Sequence, residues 1–103
     1  GDRYDRITGV KRARGRGAIL SLGQDKIELF EFKKSSFKGG NRTRAMCHPG
    51  ISHICFKVKD VQREYLRLRA ADVIFHSEPQ SFDGVICTYG RDPDGNIIGL
   101  IQG

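Results

Sequence analysis

The stretch that most restricts what this chain can become is residues 50–102, because strand, helix and turn patterns follow one another there without a gap. Residues 53–58 alternate, so that Ile54, Phe56 and Val58 fall on one side of an extended strand and His53, Cys55 and Lys57 on the other. Asp60 then stands at an N-cap position, and Val61, Tyr65 and Leu68 recur at helical spacing. An apolar strand face followed at once by an apolar helix stripe predicts a helix packed on a sheet. Residues 72–75 and 85–89 read as further strands, separated by a polar loop over 78–84 that contains Pro79. The run 92–96 predicts a tight turn: Pro93 presets φ, Asp94 tolerates the turn conformation and Gly95 supplies a positive φ. Residues 96–102 return as the last strand, giving the order βαβββ.

The first third of the chain carries a thinner version of the same pattern. Residues 17–23 read as a strand ended by Gly23, and residues 26–32 alternate, with Glu28, Phe30 and Phe32 on one face and Ile27 and Leu29 on the other. That predicts a hairpin. Ahead of it the sequence offers only a short strand at 7–10 and a basic loop, and residues 33–49, rich in Gly, Ser and Lys, read as a flexible linker. The expected organisation is a partial module over 1–32, the linker over 33–49 and a complete module over 50–103, together forming a single domain. The hairpin at 17–32 echoes the one at 85–101, as a duplicated module would. A sheet that lacks its first strand leaves an edge or an apolar face bare, so a preceding segment or a second chain, as in a homodimer, is expected to complete it.

A length of 103 residues suits one domain, and no apolar run approaches the ~20 residues of a membrane span. Cys47, Cys55 and Cys87 are odd in number and form no Cys-x-x-Cys pair, which argues against a disulfide framework and fits a reducing, cytoplasmic setting. The net charge of +6 gathers in residues 11–16 and 41–44 without interleaved aromatics, so nucleic acid is not an expected partner.

The residues Gly50-Ile-Ser-His53-Ile-Cys-Phe-Lys-Val-Lys-Asp60, followed about thirty residues on by Tyr89-Gly-Arg-Asp-Pro-Asp-Gly-Asn96-Ile-Ile-Gly-Leu, resemble the second module of the vicinal oxygen chelate superfamily. That group holds glyoxalase I, methylmalonyl-CoA epimerase, extradiol dioxygenases and the fosfomycin and bleomycin resistance proteins. Residues 22–30 resemble the last hairpin of its first module, whose histidine-bearing first strand and first helix have no counterpart here. The resemblance implies an α+β fold of βαβββ modules, a curved mixed sheet forming a cradle with helices outside and the first module incomplete. It implies a divalent metal (Zn, Ni, Fe or Mn) held by Glu28 and His53, and a small oxygen-bearing substrate chelated by it.

One position departs from the family. Gly99 stands where a glutamate is expected, and glycine neither ligates a metal nor moves a proton. Cys55, two residues along from His53, offers a thiolate in its place, and His48, His76 or water are the other substitutes. Phe30, Cys55, Ile97, Gly99 and Ile101 are the expected pocket positions, with plain core packing as the alternative for the apolar ones, and no catalytic residue is assigned. Arg42, Arg44 and Arg91 are the cations an anionic substrate would meet, unless they are simply solvated. The implied function is a metal-dependent lyase or isomerase of the lactoylglutathione lyase kind. The alternative is a metal-free binding protein of the bleomycin-resistance type.

Overall fold

A helix opens the chain, where the sequence offers only a short strand at 7–10. In the computed structural model, which describes residues 2–33 and 43–103, α1 (Asp2–Thr8) has Asp2 and Asp5 in its first turn and Arg6 in its last, the arrangement the helix dipole favours. Gly9, at φ 71°, ends it and returns its N–H to the Asp5 carbonyl at 2.8 Å. The Asp5 carboxylate then accepts from the N–H groups of Arg12 (2.8 Å) and Ala13 (2.7 Å), folding the basic loop back on the helix. The strand expected at 7–10 is therefore corrected to a helix end and turn, and a helix does precede the hairpin. Charges and caps make this helix rather than an apolar stripe, and Ile7 is 77% exposed.

The chain divides into two compact units, Gly1–Gly39 and Gly40–Gly103. In the first, β1 (Gly15–Leu22) and β2 (Asp25–Phe32) form the expected antiparallel hairpin, with Ile19 opposite Glu28 and Gly17 opposite Phe30. Its two-residue turn is Gly23-Gln24, and the φ of 62° at Gly23 suits the glycine-first hairpin turn. Phe30 and Phe32 stack at 6.2 Å on the face that Glu28 shares. Almost every residue of both strands is exposed.

The second unit carries the βαβββ order with one short strand more. β3 (His53–Lys57), α2 (Val61–Ala70), β4 (Ile74–Phe75), β5 (Gln80–Phe82), β6 (Val85–Arg91) and β7 (Ile97–Gln102) give a mixed sheet ordered β3-β7-β6-β4, with β5 also on β6. β3 runs parallel to β7 and the other pairs are antiparallel. The polar loop expected over 78–84 is corrected: β5 lies inside it, joined to β6 through Asp83-Gly84, both at positive φ (49° and 82°). Asp-Gly is the dipeptide that a two-residue hairpin turn with two positive φ values selects.

α2 forms as the spacing implies. The Asp60 carboxylate accepts from the Arg63 N–H at 3.1 Å, and the Gln102 side chain accepts from the Val61 N–H at 2.8 Å, tying the helix start to the end of β7. At the other end Asp72, at φ 70°, sits in the left-handed position, with its N–H on the Arg69 carbonyl and the Val73 N–H on the Leu68 carbonyl, a Schellman closure. The helix packs on β6 and β7, burying Val61 completely and Tyr65 nearly so. Tyr65 meets Phe75 edge to face at 4.8 Å, and Leu100 is buried as well. Each such side chain contributes about 1.5–3 kcal/mol by leaving water. No helix among the described residues is long and apolar enough to cross a membrane.

Candidate functional site

Register decides which side chains of the second unit share a face. Across β3, β7 and β6 the aligned rows are His53–Ile97–Arg91, Cys55–Gly99–Tyr89 and Lys57–Ile101–Cys87, and because facing residues point the same way these rows make up one surface. The intervening rows, Ile54–Ile98–Gly90 and Phe56–Leu100–Thr88, belong to the face that carries α2. The structure thus brings together His53, Cys55, Ile97, Gly99 and Ile101. Glu28 and Phe30 belong to the first unit, where they share one face of the hairpin and are both exposed.

His53 is half-buried, and Ser52 Oγ and its Nδ1 share a hydrogen bond of 2.7 Å. Its ring meets that of Tyr89 edge to face, with centroids 5.0 Å apart. Tyr89 is the residue that reading the sequence missed as part of the site. Counting back from the turn at 92–96 places it directly opposite Gly99, which is the signal that would have found it.

The place of the expected glutamate is filled. A Cβ built on Gly99 would lie 2.8 Å from Tyr89 Cε1, closer than a real Cβ tolerates, and a tight 3.1 Å from Cys55 Sγ. Tyr89 and Cys55 therefore close over the glycine from both neighbouring strands. Burial, and secondarily the Cys87 thiol nearby, push the Cys55 thiol up from its ordinary value. The residue is exposed as a whole while its sulfur lies against the sheet, so the effect is a partial desolvation. A raised value means the folded chain favours the neutral thiol; the associated stabilisation holds at neutral pH and is lost as pH rises through the raised value.

Do these residues fit a divalent metal? Among the described residues no three His, Cys, Asp or Glu side chains are gathered to hold one. Within the second unit only His53 presents a ligand nitrogen on this face, while His48 is exposed with its Nδ1 against the Pro49 carbonyl at 3.1 Å and His76 lies by the β4 edge. The donor set does not fit. Arg42 lies outside the described residues.

At the β4 side, Val73, Ile74, His76, Arg91 and Pro93 line a cleft of about 650 Å³ that is mostly apolar. That volume is of the size that small-molecule pockets have.

The family model described as Glyoxalase/Bleomycin resistance protein/Dioxygenase superfamily matches residues 2–100. A glyoxalase family protein from Bacillus cereus is similar over 99% of this chain and 70% of its own, at 25% identity and a TM-score of 0.85. The fosfomycin resistance protein FosX from Listeria monocytogenes (14% identity, 98% and 81% covered, TM-score 0.59) has the same fold. So does a lactoylglutathione lyase from Agrobacterium tumefaciens (21%, 97% and 80%, TM-score 0.58). No curated protein matches the chain.

Proposed function

The chain belongs to the Glyoxalase/Bleomycin resistance protein/Dioxygenase superfamily, and on that premise we propose that it binds a small molecule without a resident metal, in the manner of the bleomycin-resistance type. The observation that carries this reading is the pair Tyr89 and Cys55 closed over Gly99, which leaves the sheet face no carboxylate at the metal-ligand position. The ligand would lie along the surface of His53, Cys55, Tyr89 and Ile101, over the buried Ile97 and Gly99, and extend into the apolar cleft beside Ile74. Small-molecule sites combine such apolar lining with a few fixed polar groups, here the Ser52–His53 pair. Homodimeric assembly and a cytoplasmic setting belong to the same reading.

The rival is the lyase or isomerase that uses Glu28 and His53 as ligands of Zn, Ni, Fe or Mn. Incubating the purified protein with each of these ions, removing the excess and measuring bound metal separates the two. No ion at one equivalent per chain, and no turnover of the methylglyoxal–glutathione adduct, is the expected result. One ion per chain that disappears in His53→Ala would overturn it. A small-molecule screen followed by amide NMR is then expected to move the signals of His53, Tyr89, Ile97 and Ile101.

A further inference from the structure

Beside the β6–β7 turn the second unit holds another cleft, polar and of about 250 Å³, lined by Arg44, Ser52, Arg91, Asp94, Asn96 and Ile97 together with Gly95. Two arginines lining so small a space raise its positive potential unless something negative lies beside them. Among the described residues neither Arg44 nor Arg91 has a carboxylate within salt-bridge distance, and residues 34–42 contain no acid. The nearest candidate inside the turn is already occupied. The Asp92 carboxylate accepts from the N–H of Asp94 (3.0 Å), the N–H of Asn96 (2.7 Å) and the Asn96 side-chain amide (2.9 Å).

How the arginines are held matters as much as their charge. Arg91 Nη1 donates to the Arg44 carbonyl at 2.7 Å and to the Gly95 carbonyl at 3.0 Å, using both of its hydrogens. Among the described residues nothing bonds the Nε and Nη2 edge of the same planar group, and that edge is the fork that grips two oxygens of a carboxylate or phosphate. Arg44 is likewise pinned, Nη2 to the Ile51 carbonyl at 2.7 Å, with no other side-chain bond among the described residues. Both arginines are half-buried as residues and their guanidiniums are tied to backbone carbonyls, so ordering them for a ligand costs little entropy.

From this arrangement we infer that the cleft is a binding site for a single small anionic group, a carboxylate or a phosphate, seated between Arg44 and Arg91. It is independent of whether the neighbouring sheet face holds a metal. Asp94 is the one acid among the described lining residues and works against such a ligand, which supplies a variant expected to gain affinity.

The test is titration of the full chain with acetate and with inorganic phosphate at constant low ionic strength, read by amide shifts of Ser52, Gly95, Asn96 and Ile97, with chloride as control. Saturable shifts from one or both oxyanions are expected, and which one is tighter identifies the group. Arg44→Gln and Arg91→Lys should each weaken binding by about 5-fold or more, because the fork or the charge is lost. Asp94→Asn should tighten it by roughly 2–5-fold, since one repulsive charge is removed at little risk to the fold. Linear, non-saturating shifts, an equal response to chloride, or affinity unchanged in both Arg44→Gln and Asp94→Asn would overturn the site.

Discussion

Gly99 is the residue on which the chemistry turns, and its neighbours argue that the missing carboxylate is a built feature. Tyr89 lies across the strand from it and Cys55 on the other side, so any side chain added there meets an aromatic ring first. Gly99→Ala should destabilise the protein by about 1–3 kcal/mol, the usual cost of overpacking. Clearing the ring with Tyr89→Leu should recover part of that loss, because residues in contact do not add. Urea unfolding of the two single variants and the double variant checks it. Additive losses would mean that the ring yields freely and that the space over Gly99 is not closed. Gly99→Glu is expected to pay the same steric penalty without gaining metal, since among the described residues its possible companion ligands on this face are His53 and the thiols of Cys55 and Cys87, which are not gathered into a three-ligand group.

At the scale of elements, what the sequence disclosed depended on whether burial wrote the pattern. α2, β3, β6 and β7 turn one face toward the packing between helix and sheet, so their apolar periods, the Asp60 cap and the Gly95 turn could be read directly. α1 and β5 are exposed and carry no such period; they are made by the Asp5 carboxylate, Gly9 and the Asp83-Gly84 turn, which are signals of one or two residues. The site divides in the same way. Alternation places His53, Cys55, Ile97, Gly99 and Ile101 on one face, whereas the Arg91 contact with Arg44 joins residues 47 apart and leaves no local trace. The helix cap offers the direct check. Asp60→Ala removes the acceptor for the Arg63 N–H, while Gln102 still holds the Val61 N–H. The expected loss is about 1 kcal/mol by chemical denaturation, with the sheet signals unmoved. A loss near zero would mean that Gln102 alone anchors the helix start.

On the scale of the whole molecule the two units differ in how they account for their apolar surface. The second has a helix over one face of its sheet; the first is a two-stranded hairpin with Ile19 (64%), Leu22 (77%) and Phe30 (50%) exposed. A hairpin of two strands is marginal by itself in water. Exposure on both faces, Ile19 and Phe30 on one and Leu20, Leu22 and Leu29 on the other, is more than an isolated chain normally leaves bare. The proposed homodimer would remove that surface from water. Light scattering at tens of micromolar chain should then give twice the monomer mass, and hydrogen exchange in β1 and β2 should slow as concentration rises, while exchange in α2 does not. Leu20→Glu together with Leu29→Glu should yield monomers that keep the α2 signals and lose protection in the hairpin. A concentration-independent monomer whose β1 and β2 amides are already protected would show that the hairpin stands without a second copy, and the dimer would fall.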